Sequence, residues 1–200
     1  MDPYPLPFLV ARVFPPLTVR ERPVVAQSEC VIYEKSPDGR RVPETRARGR
    51  FYRSRAGRSR TDILTPRNDG DVIAVSILWD PDQKTTHSYS FSNRVAHQMR
   101  QPTFPGEHRW MPRDAYGLKF SDERKTILEL ECQRVYLSPL PGAELGTSQD
   151  EIWVSKEWGL VMLDVAVVPA KEVRWEVVRL EKVEPDPSVF EVPGDFKVIG

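Results

Sequence analysis

Proline occupies 19 of the 200 positions, about twice its usual share. Each ring removes a backbone donor and clashes with the preceding turn, so long helices are excluded over most of the chain. What lies between the prolines is alternation. Near the end, Val173 and Trp175 fall on one side and Glu172, Arg174 and Glu176 on the other, the period-2 pattern of a half-buried strand. The pattern slips at Val177 and Val178, after which Val178 and Leu180 carry the apolar side, as one extra residue at a β-bulge would produce. Glu184-Pro185-Asp186-Pro187 stops the ladder. Phe190, Val192 and Phe196 are expected to tuck back against the sheet, and the whole stretch, residues 172–198, reads as its closing edge.

The sequence has no Gly/Ser-rich linker, so the expectation is one β domain over residues 24–200 behind an extended arm, residues 1–23. Formal net charge is zero, yet cations crowd the first third and carboxylates the last. Either the two segments neutralise each other as neighbours, or the basic one meets an anionic partner. Cys30 and Cys132 are too few for a disulfide scaffold; two buried thiols or a single bridge are both compatible with them. No apolar run of membrane-spanning length occurs. The first residues lack a basic leader region and are broken by Pro5, Pro7, Pro15 and Pro16, so they do not read as a signal peptide. The protein is expected in the periplasm or envelope if a signal has been removed, and otherwise in the cytoplasm.

In chain order, residues 24–34 form a strand leading into Ser36-Pro37-Asp38-Gly39, a hairpin turn. The next stretch sets Arg46, Arg48, Arg50 and Tyr52 on one side and Ala47, Gly49 and Phe51 on the other, and after Ala56-Gly57 the charge continues at Arg58 and Arg60. Guanidinium groups at this period can follow a row of phosphates, as on a nucleic-acid or phospholipid-headgroup surface; alternatively they cover a solvated face and pair with Glu and Asp of the acidic C-terminal strands. Residues 71–91 read as a hairpin about Asp80-Pro81-Asp82-Gln83, with Ile73, Val75, Ile77 and Trp79 on one side and Thr85, His87, Tyr89 and Phe91 together on the return. Residues 93–99 suit a short helical turn, and 101–117 a long Pro-rich loop. Residues 125–137 resume as a strand with Leu128, Leu130 and Cys132 on one side. Residues 150–155 and 159–168 follow, the second apolar on both faces and carrying Asp164, which needs a partner.

Nothing in this pattern specifies a reaction. His87, His97 and His108 have no acidic residue at ligand-like spacing, and no nucleophile elbow, phosphate loop or dinucleotide fingerprint occurs. No catalytic residue, cofactor or metal site is expected, and nucleic acid is not an expected partner.

The sequence GRFYRSRAGRSRTDI, the strand into Trp79-Asp80-Pro81, then EIWVSKEWGLVML, and finally Glu184-Pro185-Asp186-Pro187 with Phe190-Glu191-Val192-Pro193, resemble uncharacterised exported bacterial proteins related to the LolA-like lipoprotein-carrier half-barrel. That resemblance implies a mainly β fold: a single strongly curved antiparallel sheet, with short helical or loop segments covering one face around an apolar cavity. It implies a non-enzymatic envelope module holding a lipid, another hydrophobic ligand or a lipidated partner. The expected lining is Ile77, Trp79, Tyr89, Leu128, Leu130, Trp153, Met162 and Trp175. The alternative is a structural or interaction domain without a small ligand, meeting a protein partner through Arg46, Arg48, Arg50, Arg58 and Arg60 and the acidic C-terminal strand.

Overall fold

The computed structural model describes residues 21–35, 41–100, 116–139, 149–168 and 171–200. They form Val24–Lys35 (β1), Arg41–Arg53 (β2), Ser59–Thr65 (β3), Val72–Asp80 (β4), Thr85–Ser90 (β5), Val95–Arg100 (β6), Tyr116–Ile127 (β7), Leu130–Pro139 (β8), Gln149–Ser155 (β9), Leu160–Val168 (β10), Lys171–Glu181 (β11) and Lys197–Ile199 (β12). All lie in one sheet, ordered β12-β6-β5-β4-β3-β2-β1-β11-β10-β9-β8-β7. Neighbours are antiparallel except β12, which runs parallel to β6. Two meanders, β1 to β6 and β7 to β11, are therefore joined along the β1–β11 ladder.

Chain length forces this sheet to bend. Arg100 ends β6 level with the start of β1, whereas Tyr116 opens β7 near the level of its end, ten strand steps away. In a flat sheet that separation would be about 48 Å across the strands and about 30 Å along them. The link of residues 101–115 reaches roughly 55 Å when fully extended, so a flat sheet would leave it no slack. The result is an open, curved half-barrel. Register shifts between β1 and β2, β1 and β11, β3 and β4, β7 and β8, and β9 and β10 each add local bend and twist.

Several sequence expectations change here. The 172–181 segment is a strand with the expected bulge, but it lies at the centre of the sheet and not at its edge, and Val178 does not join the apolar side as expected. Gln27 pairs with Arg179 and Ser28 with Val177, so Val178 is the extra residue and is 46% exposed, leaving Val177 and Leu180 on the apolar side. Residues 95–100 are strand β6, paired to β5, and not a helical turn. Residues 125–137 are two strands, divided at Leu128 and Glu129. Ile73 leaves the face of Val75 and Ile77 because Ala74 is the extra residue of a bulge against Ile63 and Leu64.

The C-terminal segment docks as expected. The Asp186 carboxylate accepts from the Ser188 backbone N–H at 2.8 Å and its hydroxyl at 2.7 Å, capping a single turn of 3-10 helix, Pro187–Phe190. Phe190 and Phe196 bury against Leu78, Tyr89 and Ala96. Phe196 meets Tyr89 and Phe91 edge-on, each at 5.2 Å, after which β12 extends the sheet beside β6.

Leu128 and Glu129 both have positive φ, 46° and 66°, the backbone of a two-residue hairpin turn that favours Asn-Gly. Non-glycine residues in this region cost about 1–2 kcal/mol each. The double substitution Leu128→Asn with Glu129→Gly is expected to raise unfolding free energy by about 1–2 kcal/mol, read from urea denaturation midpoints; an unchanged midpoint would remove strain at this turn from the account.

Candidate functional site

The alternation of β1, β2, β4 and β11 builds an apolar face. Ile77, Trp79 and Trp175 form one buried cluster there with Cys30, Ile32, Ala47, Ile63 and Val173. Leu130, Trp153 and Met162 belong to a second, with Val24, Ala26, Phe51, Trp158, Leu160 and Val177. Tyr89 is on the other side of the sheet, because it pairs with Ser76, which alternates with Ile77; it lies beneath the C-terminal segment. Leu128 occupies the β7–β8 turn and is 40% exposed. Three of the eight sequence-derived lining residues thus meet in one cluster, three in another, and two lie elsewhere.

The two clusters adjoin at a groove lined by Ala26, Ser28, Phe51, Leu160, Trp175 and Val177, among others. Its cavity volume is about 30 Å³, room for one or two waters, and the rest of the groove is open to solvent.

Arg53 stands at the end of this face, paired across the sheet to Val24 and Ser59 and 3% exposed. Its Nε donates to the Arg22 carbonyl at 3.0 Å and its Nη2 to the Trp158 carbonyl at 2.7 Å. Its Nη1 is buried without a hydrogen-bond partner. Burial lowers this guanidinium's pKa to about 10. Arg53 is not among the arginines that the sequence pattern singles out. The signal was present, since Ala47, Gly49, Phe51 and Arg53 share one parity, the buried one.

Several of the other described arginines of this run are paired with carboxylates. Arg48 pairs with Glu29 at 3.3 Å and Asp71 at 2.9 Å, Arg58 with Asp80 at 3.2 Å, and Arg60 with Asp62 at 2.7 Å. Arg50 is exposed, and the Arg46 side chain lies outside the described residues. The expected pairing with C-terminal acids is replaced by pairing with nearer strands, while β11 neutralises itself through Arg174–Glu176 and Arg179–Glu181. Arg60 and Asp62 lie largely buried; Ser76 donates to the same carboxylate, and Arg60 Nη1 donates to the Val189 carbonyl at 3.0 Å, tying the C-terminal segment to β3.

Cys30 and Cys132 are buried and not joined by a disulfide, and burial pushes the Cys132 thiol up to about 11, which suits a packing residue better than a nucleophile. Among the described residues no group of His, Cys, Asp and Glu is placed to hold a metal. No helix among them is long and apolar enough to cross a membrane. His108 lies outside the described residues.

These features define an open half-barrel whose central apolar face carries Trp79 and Trp175, whereas Trp153, paired through Leu163 to Glu176, is on the other side of the sheet. Among solved structures, the chain is similar to PNGF-II, with a TM-score of 0.52 and 10% identity over 88% of this chain and 31% of that one. It is similar to a chain of the Pseudomonas aeruginosa MucA/MucB complex, with a TM-score of 0.51 and 10% identity over 96% of this chain and 62% of that one. In both cases it spans less than two thirds of the other chain. A putative outer membrane lipoprotein-sorting protein domain from Vibrio parahaemolyticus aligns with a TM-score of 0.31 and 9% identity, over 84% and 89% of the two chains, too low to carry an argument. At these identities the likeness is one of fold. No protein-family model and no curated protein matches the sequence.

Asp62→Ala would leave Arg60 buried and unpaired, and is expected to cost about 3–5 kcal/mol. Ser76→Ala, which removes one donor, should cost about 1 kcal/mol; equal losses in denaturant titrations would contradict this hierarchy. Burial holds His87 below its ordinary pKa against the opposing pull of Asp80, so the folded chain binds fewer protons than the unfolded one. Its contribution is present above about pH 6.5 and is lost as pH falls through the depressed folded value. The denaturation midpoint should therefore drop between about pH 7.5 and 5.5, and His87→Gln should flatten that slope. The carboxylates held low by their partners, Glu123, Glu151 and Asp186, act in a separate, more acidic window.

Proposed function

We propose that this chain is a non-enzymatic binding module of the bacterial envelope, holding a lipid or a partner's lipid group on the apolar face of its curved sheet. The observation that carries this reading is the junction of the two tryptophan-bearing clusters at a groove open to solvent. Small residues at the centre of that face, Ala26, Ser28, Ala47 and Gly49, favour curvature toward it, since the inside of a bend has less room for side chains. An acyl chain exceeds the enclosed space, so binding has to use the open part of the groove. The fold likeness to a chain of a MucA/MucB complex supports a protein partner. We take residues 24–200 as one domain and 1–23 as an arm. Arg48, Arg58 and Arg60 already hold carboxylates, which disfavours the alternative of a free cationic docking hairpin.

Native mass spectrometry of the full-length protein from its own host, followed by organic extraction, is expected to recover one apolar molecule per chain. Trp175→Ala should lower that occupancy several-fold. A clean apo mass, together with no quenching of tryptophan fluorescence by brominated lipid, would overturn the reading.

A further inference from the structure

We propose that the ligand is a long-chain carboxylate and that Arg53 holds its head. This rests on the apolar-face reading above and adds the chemistry of the ligand's polar end.

The buried charged residues described are Arg53, Asp62, Asp80 and Asp164. Asp62 and Asp80 face Arg60 and Arg58, and Asp164 is also engaged. Arg53 differs: its polar partners are two backbone carbonyls, and no described carboxylate pairs with it. Carbonyl dipoles offset only part of the cost of taking a guanidinium out of water. Its buried, unpartnered Nη1 is the donor an added anion would satisfy.

Position joins this donor to the groove. The Phe51 ring lines the groove and lies 6.0 Å from the Arg53 guanidinium carbon. Leu160 lines it too and shares a cluster with Trp158, whose carbonyl holds Arg53. Arg53 itself is buried just beyond this lining, so a chain lying along Trp175, Val177 and Phe51 ends beside Phe51, and its head meets Nη1 once the Phe51 or Arg53 side chain shifts to open the way. The field there favours an anion further, because Arg22 and Lys182 both lie over the Trp158 ring at 5.4 Å, although Arg22 also pairs with Glu157 at 3.0 Å.

Donor count narrows the head group. Nε and one hydrogen of Nη2 are committed, which leaves the second hydrogen of Nη2 and both of Nη1. A carboxylate matches this remainder with charge-assisted bonds and one unit of charge. A phosphate monoester brings more charge than one guanidinium balances, and an ester brings none.

The test uses the full chain with laurate, methyl laurate and dodecyl phosphate, compared by calorimetry. Laurate should bind about tenfold or more tightly than its methyl ester. In a pH titration of carboxyl-labelled laurate by carbon-13 NMR, the bound carboxyl should titrate below its free value. Arg53→Gln should erase the preference for laurate while leaving methyl laurate affinity unchanged; if that variant does not fold by circular dichroism, the wild-type ratio and titration decide. Equal affinity for laurate and its ester, or a bound carboxyl titrating at its free value, would overturn the Arg53 assignment and leave the apolar-face reading standing. Tighter binding of dodecyl phosphate would overturn the carboxylate. No binding of any of the three would overturn both readings.

Discussion

The β1–β11 ladder is the constraint on which the rest depends. Apart from it, each meander is a run of strands beside its sequence neighbours; with it, strand residues near opposite ends of the chain pair over Val25 to Glu34 against Glu181 to Lys171. Only then do Cys30 and Trp175, or Ile32 and Val173, become cross-strand pairs, and only then does the apolar face exist as one surface. The bulge at Val178 sits inside this ladder, so the seam that joins the halves is also a place where the sheet bends. Such pairing closes a loop of most of the chain before it is rewarded, which makes late assembly of the seam the expected folding order.

Hydrophobic burial alone does not fix this arrangement, because polar groups are placed where they have to be satisfied. Arg53 bridges the start of β1 and the β9–β10 turn by accepting burial in exchange for the Arg22 and Trp158 carbonyls. Arg60 does the corresponding work on the other side, joining Asp62 on its own strand to the Val189 carbonyl of the C-terminal segment. Each ties a peripheral segment to the sheet at a defined register. The difference between them is compensation: among the described residues, Arg60 has a carboxylate and Arg53 does not.

Much of the fold was legible in sequence because strand alternation and turn chemistry are local. The faces of β11 up to Glu176, the docking of Phe190 and Phe196 and the Asp80 turn, where the carboxylate accepts from Asp82 and Gln83 at 3.0 Å each, all follow from neighbouring residues. Three things were not local. Alternation in β11 shows that one side is buried but not which strands flank it, so a central strand was taken for an edge. Val95–Arg100 is rich in helix-tolerant Ala, Gln and Met, and its pairing with β5 overrides that preference. The β7–β8 turn uses Leu-Glu where Asn-Gly is the readable signal. The candidate lining failed to converge for a related reason. Ile77 and Tyr89 each belong to a well-read strand, yet the register Asp80 to Thr85, which the hairpin loop sets, puts them on opposite sides.

The two sides of the sheet divide the electrostatic roles. On the outward side of β1, β2 and β11, Glu29, Arg48, Arg174, Glu176, Arg179 and Glu181 engage charges of opposite sign close by. Exposed pairs of this kind contribute little to stability and leave little net field at a distance. They keep that face solvated without marking it for a partner. On the apolar side the reverse holds: charges are few, and a buried one there interacts through a medium that screens it weakly. A buried cation such as Arg53, with no described carboxylate beside it and next to Phe51 and Trp158, therefore carries a stronger local field than the paired arginines on the outside. The count of charges in the sequence points to the wrong surface; their burial points to the right one.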